Sequence, residues 1–310
     1  MNRKELVASR QAYGETLIDL VKDGYDIFAI EADLAESTTL SSFRAVFPDR
    51  LYDVGIAEQC MMGVAAGISL EGYIPFTGSF AVFATGRAYD QIRNTICDSN
   101  LNVKICSTHA GLTVGEDGAT HQALEDIGLM RGLPNMRVLV PSDYWSARAA
   151  IRYAATNPGP FYVRLGRYPV PQLYDDDITF IPARIIRRGN DVTIVACGVE
   201  VFEAIGAADI LEKQNISVEV IDLQSVSPID EETIIHSAMK TRRVVTVEEH
   251  NVATGMGSAI CSFLSKELPT RTLVLGTETF GLSGNAKELL RYFGLDAYGI
   301  ANSVSQFLQI

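Results

Sequence analysis

The 310-residue sequence lacks the features that membrane, exported and nucleic-acid-binding proteins require. It has no run near the roughly 20 uninterrupted apolar residues that span a bilayer, although 47% of its residues are hydrophobic. No apolar signal segment follows the N-terminal residues 1–5, which argues against export. The net charge of −12 disfavours nucleic acids and anionic membranes as partners. We therefore expect a cytoplasmic protein that acts on small molecules.

Cysteine and histidine are scarce as well. The cysteines form no pair motif and are odd in number, which predicts reduced thiols rather than a disulfide framework. They are Cys60, Cys97, Cys106, Cys197 and Cys261. Two of the four histidines, His109 and His121, fall in one loop. The other two, His236 and His250, lie in the second half of the chain and are predicted to be structural.

The distribution of apolar residues predicts two α/β domains. Residues 1–175 alternate helix-like and strand-like runs, a pattern typical of a mostly parallel, doubly wound sheet. A proline-rich, acidic stretch then indicates an interdomain linker at 176–190, and residues 191–310 repeat the alternation on a smaller scale. In the first domain we predict helices at Gln11–Val21, Ala57–Leu70, Gly86–Asn94 and Trp145–Ala155, and strands at Ile27–Glu31, Val103–Thr108, Arg137–Val140 and Phe161–Arg164.

One predicted helix, Ala57–Leu70, contains a single acid, Glu58, near its start. No charge occurs from Cys60 to Ile68, so the helix is predicted to be apolar all round and buried. A carboxyl group at the start of such a helix can share a proton with a bound heterocycle. It can equally support the helix N-terminus, and this segment alone leaves both interpretations open.

Two further blocks carry candidate binding groups. Phe80 and Phe83 are spaced to share one face of a helical turn, where they either flank a flat ring or belong to the core. His109 and His121 lie in a glycine-bearing loop that precedes a helix-like run from Ala123 to Met130. Loops at the carboxyl ends of strands are where open α/β sheets bind ligands, so this loop is predicted to be functional.

In this order and spacing, the blocks resemble the C-terminal part of transketolase over nearly the whole chain. The segments that carry the resemblance are Ala8–Arg10, Asp33–Ser37, Gly55–Gln59, Phe80–Phe83, Gly115–Gln122, Pro141–Asp143 and Val163–Arg167. The resemblance implies a thiamine-diphosphate pyrimidine-binding domain at 1–175 and a smaller transketolase C-terminal-like domain at 191–310. It also implies a transferase that moves a two-carbon ketol unit from a ketose phosphate to an aldose phosphate, as in the pentose phosphate pathway.

The metal-diphosphate motif of that family is missing from this chain. The family holds the cofactor's diphosphate through a divalent metal, which is bound by a Gly-Asp-Gly motif and a later Asn. Here Glu116 precedes Asp117 and Gly118, and no matching Asn follows, so we assign no metal ligand. The resemblance therefore implies one subunit of a split enzyme. A separate N-terminal subunit would supply most of the ligands of the Mg²⁺ or Ca²⁺ ion. The two kinds of subunit would form an α2β2 heterotetramer in which this chain self-associates.

The resemblance also assigns cofactor-binding residues. Glu58 would hydrogen-bond the aminopyrimidine ring of thiamine diphosphate and act as a catalytic group. Phe83, with Phe80 behind it, would pack on that ring. Asp33 and His121 would lie beside the cofactor.

A second set of residues is assigned to the substrate. The residues expected to hold the sugar's terminal phosphate are Arg10, Ser37, His109 and Arg167, because arginine makes charge-assisted contacts with phosphate. Arg164 is an alternative anion ligand because it lies close to Arg167 in the sequence. Asp117 would bind a donor hydroxyl. His109 and His121 would bind sugar hydroxyls and move protons as catalytic groups.

Two features fall outside this assignment. Some transketolases carry a third aromatic residue shortly after the second Phe, where this chain has Gly86 and Arg87, so the outer wall of the cofactor pocket is not assigned. The run Glu248-Glu249-His250 resembles a metal or acid–base trio. Adjacent residues point in different directions, however, and we predict that these three side chains do not converge.

Three alternative functions remain open. The β subunit of a 2-oxoacid dehydrogenase E1 shares the two-domain plan and the glutamate, but it needs no sugar-phosphate pocket. A deoxyxylulose-phosphate synthase-like carboligase uses pyruvate and normally comes as a longer chain. A non-catalytic partner subunit would not need to keep Glu58, Phe83, His109, Asp117 and His121 together. Among transketolases, the sequence leaves open whether the donor is xylulose 5-phosphate, another ketose phosphate, a sugar acid or a sulfonated sugar.

Overall fold

The computed structural model describes residues 6–176 and 178–309, which form two compact units. The first unit extends to Ala110 and resumes with Leu129–Phe180, and the second consists of Gly111–Gly128 and the chain from Ile181 onward. Residues 1–5, on which the expectation about export rests, lie outside the described residues, as do 177 and 310. No helix among the described residues is long and apolar enough to cross a membrane.

Strands and helices alternate along the chain up to Phe180, as the apolar pattern predicts. The strands are β1 (Val7–Ala8), β2 (Ile27–Glu31), β3 (Leu51–Asp53), β4 (Ile74–Gly78), β5 (Lys104–Ser107), β6 (Arg137–Leu139), β7 (Phe161–Arg164) and β8 (Pro169–Val170). The α-helices are α1 (Ala12–Lys22), α2 (Ala35–Thr38), α3 (Leu40–Val46), α4 (Glu58–Leu70), α5 (Ala81–Arg87), α6 (Asp126–Arg131) and α7 (Tyr144–Thr156). Shorter 3₁₀ segments cover Ser9–Gln11, Pro48–Arg50 and Leu112–Asp117, and a π-helical segment covers Gln91–Cys97.

The first unit is built on a parallel sheet with the strand order β6-β7-β5-β4-β2-β3. Helices α1, α3 and α7 bury apolar side chains in one core with this sheet. Tyr13 and Leu17 lie one turn apart on α1 and therefore share a face, and both are fully buried together with Phe43, Phe76 and Ile151. The prediction of a mostly parallel α/β sheet is confirmed.

A two-stranded antiparallel ribbon joins the two ends of the first unit. In it, Val7 of β1 lies opposite Val170 of β8, and Ala8 lies opposite Pro169. The ribbon continues as a backbone hydrogen bond from the N–H of Arg10 to the carbonyl oxygen of Gly166, at 3.2 Å. It therefore holds the residues after β1 beside the residues after β7.

The second unit has its own strands and helices. The strands are β9 (Ala183–Arg187), β10 (Val192–Ala196), β11 (Val218–Leu223), β12 (Ser225–Ser227), β13 (Arg243–Asn251) and β14 (Arg271–Thr277), and the helices are α8 (Glu200–Glu212), α9 (Glu231–Thr241), α10 (Met256–Glu267), α11 (Ala286–Tyr292) and α12 (Ala297–Leu308). All of these strands except β12 form a smaller sheet with the order β14-β13-β10-β11-β9, in which β9 is antiparallel to β11 and the other pairs are parallel. The central strand β10 is buried along its whole length, including its one polar residue, Thr193.

Three segments differ from the sequence-based expectations. The interval 176–190, expected to be a linker, contains β9, because that short strand pairs with the edge of the second sheet. The helix expected at Gly86–Asn94 is instead the end of α5 followed by the π-helical segment from Gln91. The segment Gly111–Gly128, expected in the first domain, belongs to the second unit.

Helix α4 is not buried on all sides within this chain, which corrects the prediction from its apolar sequence. Met61, Met62 and Ala65 are buried, whereas Gly63 and Leu70 are exposed on the other side. An apolar composition indicates that a surface avoids water, but it does not indicate what covers that surface. The elements of this chain cover one face of α4 and leave an apolar face open.

Candidate functional site

The site residues of the first unit follow the carboxyl ends of parallel strands. Asp33 follows β2, Glu58 follows β3, Phe80 follows β4, His109 follows β5 and Arg167 follows β7. In open α/β sheets, this edge is where ligands bind. The fold therefore brings residues that are far apart in sequence to one edge of the sheet.

Glu58 begins helix α4, and its side chain is only 4% exposed. Its Oε1 atom accepts a hydrogen bond of 2.9 Å from Nη1 of Arg87, the last residue of α5. A cavity of about 550 Å³ lies beside this ion pair, and its other lining residues are Ile56, Ala57, Gln59 and Cys60. The Glu58 side chain therefore lies beside a space large enough for a ring-sized group, and the Arg87 guanidinium holds one of its oxygens in place.

The two phenylalanines form part of a continuous stack. The rings of Phe80 and Phe83 lie 5.8 Å apart at 19°, and the ring of His109 stacks on Phe80 at 3.8 Å and 25°. At the other end, the guanidinium carbon of Arg87 lies 4.2 Å from the centroid of the Phe83 ring. The aromatic pair thus connects the neighbourhood of Glu58 with that of His109.

His109 is fixed in an unusual backbone conformation. Its φ angle is 57°, which is uncommon for a residue other than glycine. Its Nε2 atom lies 3.3 Å from Nη1 of Arg10, and its Nδ1 atom lies 2.8 Å from Oγ1 of Thr108. Because arginine can only donate, Nε2 is the acceptor and Nδ1 carries the proton that is donated to Thr108. This arrangement describes a neutral imidazole.

Arg10 and Arg167 form a concentration of positive charge in an acidic chain. The ribbon of β1 and β8 brings their backbones together, and Nη1 of Arg10 also donates to the carbonyl oxygen of Ser37 at 2.7 Å. Burial, and after it the positive charge of Arg167, lowers the pKa of Arg10. Two close guanidinium groups repel one another, so an anion placed between them would be stabilised. Arg167, rather than the buried Arg164, is the arginine whose charge acts on Arg10.

Asp33 lies at the same edge of the sheet, in an unusual backbone conformation. Its φ angle is 59°, and its N–H donates to Oδ1 of Asp53 at 3.2 Å. The side chain is exposed. The strained turn therefore holds this carboxylate at the surface just beyond β2.

Asp117 and His121 belong to the second unit, within Gly111–Gly128. Gly115 and Gly118 have φ angles of 84° and 74°, values that let the backbone turn where other residues would be strained. Asp117 is exposed and His121 is half-buried, with its Nδ1 atom 2.9 Å from Oγ1 of Thr120. Both side chains are therefore presented on a tight, glycine-shaped loop.

Side chains that sequence analysis left without a role hold this loop within the second unit. Oε2 of Glu249 accepts from the N–H of Thr113 at 2.9 Å and from its Oγ1 at 2.8 Å. Nε2 of Gln122 donates to the carbonyl oxygens of Leu112 at 3.1 Å and Leu282 at 2.9 Å. Glu249 lies 136 residues from Thr113 in sequence, and no local pattern signals such a contact.

The neighbours of Glu249 point elsewhere, as the sequence predicts. Glu248 accepts from the N–H groups of Met256 and Gly257, at 2.6 and 2.8 Å, and thereby caps α10. Nε2 of His250 accepts from the N–H of Gly128 at 3.3 Å. In residues 6–176 and 178–309, no group of three or more His, Cys, Asp or Glu side chains is arranged to hold a metal ion.

Comparison with known proteins gives matches along nearly all of the chain. Residues 5–172 match the family model for the transketolase pyrimidine-binding domain, and residues 182–300 match the model for the transketolase C-terminal domain. A protein of Methanocaldococcus jannaschii, provisionally named a transketolase C-terminal section, is 44% identical over 96% of this chain and 95% of its own length. The 6-deoxy-6-sulfo-D-fructose transketolase subunit SqwH of a Clostridium species is 38% identical over 96% of this chain and 93% of its own length.

A solved structure is similar over the same extent. It is described as a split-gene transketolase in the form of an inactive β4 tetramer. It is 45% identical in sequence, superposes with a TM-score of 0.91, and the match covers 98% of this chain and 99% of that one. The resemblance drawn from the sequence motifs is confirmed.

Proposed function

This chain belongs to the transketolase family, and from that premise we propose that it is the C-terminal subunit of a thiamine-diphosphate-dependent transketolase that acts with a separate N-terminal subunit. The reaction is transfer of a two-carbon ketol unit from a ketose phosphate to an aldose phosphate. The observation that carries the proposal is the arrangement at one sheet edge of two groups: a buried acid near stacked aromatic rings, and a neutral histidine that contacts Arg10, on which the charge of Arg167 acts. The first group suits a heterocycle, and the second suits a phosphorylated sugar.

The residues around Glu58 fit the pyrimidine part of thiamine diphosphate. When bound, this cofactor supplies a carbon nucleophile and an electron sink. Glu58 would hold a proton at the ring nitrogen, which a buried carboxyl group beside a cavity of about 550 Å³ can do. Phe83, with Phe80 behind it, would pack on the ring, and Asp33 would lie beside it.

The residues around Arg10 fit the terminal anion of the sugar. Arg10 and Arg167 would bind it through charge-assisted hydrogen bonds, and Ser37 and His109 would complete the pocket. Nε2 of neutral His109 would also accept a hydrogen bond from a sugar hydroxyl in exchange for its contact with Arg10. On the loop of the second unit, Asp117 would bind a donor hydroxyl, and His121 would contact both cofactor and substrate and move protons.

The proposed partner is a subunit that binds the cofactor's diphosphate with Mg²⁺ or Ca²⁺. The similar solved chain is described as inactive in its β4 form, which supports a need for a second kind of subunit. We propose an α2β2 heterotetramer in which this chain self-associates. Isolated, the chain should bind thiamine diphosphate weakly and turn over no sugar, and addition of the N-terminal subunit with Mg²⁺ should restore turnover.

The donor is proposed to carry a terminal anion rather than to be pyruvate. The arginine pair accepts a phosphate or a sulfonate on the same physical grounds, and a relative at 38% identity is named for a sulfonated ketose. The dehydrogenase alternative leaves this pair without a role. A donor screen on the reconstituted complex with ketose phosphates, 6-deoxy-6-sulfofructose, hydroxypyruvate and pyruvate decides the class, and turnover of pyruvate alone would overturn the proposal.

An arginine substitution tests the anion pocket directly. Arg167→Ala should raise KM for phosphorylated donors by about ten- to a hundred-fold, because a lost charged contact costs about 1.5–3 kcal/mol. KM for hydroxypyruvate, a short donor without a phosphate group, should change little. Arg50→Ala is the matched control, since Arg50 is also a half-buried arginine of the first unit and pairs with Asp26 at 3.6 Å. Equal losses with both donors would show that Arg167 supports the fold instead.

A further inference from the structure

Glu58 is joined to a residue that neither its motif nor the resemblance assigns, Arg87 at the end of α5. We propose that Arg87 is a positioning residue of the cofactor site: it fixes one carboxylate oxygen of Glu58, which leaves the second oxygen for the ring of a bound heterocycle. This inference rests on the proposed function, because it adds a role within the same site. The new role is that of Arg87, which holds the Glu58 side chain in place.

The first support is that one guanidinium contacts both groups assigned to the ring. Phe83 and Arg87 are four residues apart on α5, so their side chains share a face. The guanidinium carbon lies 4.2 Å from the Phe83 ring centroid while Nη1 lies 2.9 Å from Oε1 of Glu58. A planar cation therefore lies over the aromatic face and against the acid at once. This chain has Gly86 and Arg87 where some transketolases have a third aromatic residue, so the cation supplies this part of the pocket wall.

The second support is the burial of the acid. With 4% of its side chain exposed, an ionised Glu58 needs a charged or hydrogen-bonding partner. The start of α4 contributes a partial positive charge, and Arg87 contributes a full one. Arg87 itself is 53% exposed, so water weakens the pair, and its side chain can adjust to a bound ring without burying a charge.

The other charges near α4 leave Arg87 as the cation that acts on Glu58. The titratable or charged groups on the cavity lining and on the elements packed against α4 are Cys60, Glu31, Arg93 and Cys97. Glu31 is engaged by Arg44 at 2.5 Å, and Arg93 hydrogen-bonds Asn94. Loss of the Arg87 charge should therefore change the titration of Glu58 directly.

The test follows the protonation of Glu58 in the full chain by itself. Chain labelled with [δ-¹³C]glutamate is titrated by NMR, and Glu58→Gln identifies the Glu58 resonance. In Arg87→Met the midpoint of the Glu58 titration should move to higher pH by about one unit, a tenfold change in the ionisation constant. Arg87→Lys keeps the charge and should restore most of the wild-type behaviour.

Arg44→Met is the matched control. Arg44 and Glu31 also form a pair between a half-exposed arginine and a buried glutamate in the first unit, with side chains 44% and 1% exposed. Its loss should leave the Glu58 titration unchanged. An unshifted Glu58 resonance in Arg87→Met, or an equal shift in Arg44→Met, overturns the proposal.

Calorimetric titration of the reconstituted complex with thiamine diphosphate separates this inference from the proposed function. Arg87→Met should weaken binding about tenfold and Arg87→Lys by less, because a carboxyl group that is no longer held in place is a poorer partner for the ring. Wild-type affinity in Arg87→Met removes Arg87 from the cofactor site even if the NMR shift is seen. Absence of binding to the wild-type complex overturns the proposed function, and the role of Arg87 toward a cofactor falls with it.

Discussion

Glu58 in the first unit and Glu249 in the second are both buried carboxylates next to predicted site residues, yet their partners differ in kind. Glu58 pairs with the half-exposed side chain of Arg87. Glu249 accepts from the backbone N–H and the hydroxyl of Thr113, which lie in the 3₁₀ segment before Asp117. A surface side chain can rearrange when a ligand arrives, whereas a backbone N–H cannot leave without unfolding its segment. The first kind of partner suits an acid that takes part in chemistry, and the second suits an acid that holds a loop in place.

Glu248 provides a comparison inside the second unit. It is adjacent to Glu249, is equally buried, and also accepts from backbone N–H groups. Its partners, however, lie at the start of α10 rather than in the loop that carries Asp117 and His121. These three glutamates should therefore differ in a graded way in their effects on turnover.

The largest effect is expected for Glu58→Gln in the reconstituted complex. Glutamine keeps the size and one hydrogen bond, but it cannot hold the proton that Glu58 would share with the ring. Turnover should fall by at least about a hundredfold, and exchange of the cofactor's C2 proton should slow with it. Circular dichroism should show that the Glu58→Gln variant is folded. Proton exchange at the wild-type rate would return Glu58 to a purely structural role.

An intermediate effect is expected for Glu249→Gln. A neutral amide is a weaker acceptor for Thr113 than a carboxylate, so the free energy of unfolding should fall by about 1–2 kcal/mol. Hydrogen exchange of the Thr113 amide should accelerate, and turnover should fall several-fold because Asp117 and His121 are held less firmly. An unchanged exchange rate at Thr113 would argue that this contact does not order the loop.

A smaller effect on turnover is expected for Glu248→Gln. The loss of stability should be similar to that in Glu249→Gln, because two backbone N–H groups again lose a charged acceptor. Exchange should accelerate at Met256 and Gly257 instead of Thr113, and turnover at a temperature well below the unfolding transition should stay at the wild-type level. Equal falls in turnover for Glu248→Gln and Glu249→Gln would show that holding the loop of Asp117 and His121 is not what separates the two glutamates.

No effect on turnover, but a change in pH dependence, is expected for Lys104→Met. Lys104 is a cation of the first unit held by backbone groups, since its Nζ atom donates to the carbonyl oxygens of Asn157 and Gly159 at 2.8 Å each. Burial lowers the pKa of Lys104 to about 7, from 10.5. Between these values the unfolded chain binds more protons than the folded one, so stability is lost as pH falls from about 10.5 to about 7. Denaturant unfolding across this range should show a flatter pH profile in Lys104→Met than in the wild type.

The sequence predicted the parts of this molecule that depend on local pattern or on dense motifs. Strands β2 and β7 coincide with their predicted ranges, because short and largely apolar runs are typical of buried parallel strands. The position of Glu58 at the start of α4 also follows from local pattern. The parallel order of the strands then explains why residues after separate strands meet at one edge.

The remaining parts depend on contacts that local sequence does not encode. Arg87 is a common type of residue at a common position, and its contact with Glu58 emerges only from the packing of α4 and α5. The assignment of Gly111–Gly128 to the second unit depends on Glu249 and Gln122, whose partners are distant in sequence. Apolarity alone also could not tell that one side of α4 is left uncovered by the chain's own elements.

The ribbon of β1 and β8 imposes an order in time on the first unit. Ser9 and Gly166, which hydrogen-bond beside it, are separated by 157 positions, so closing the ribbon carries the entropy cost of a very long loop. During synthesis, Arg10 leaves the ribosome well before Arg167, and the strand that places Arg167 arrives only after nearly the whole unit has been made. A nascent chain that ends before Pro169 contains Glu58, Phe80 and Phe83. It lacks β8, however, so the ribbon cannot form and cannot hold Arg10 beside Arg167. The proposed affinity for an anion would therefore be a late product of folding, and its appearance would report that the first unit has closed.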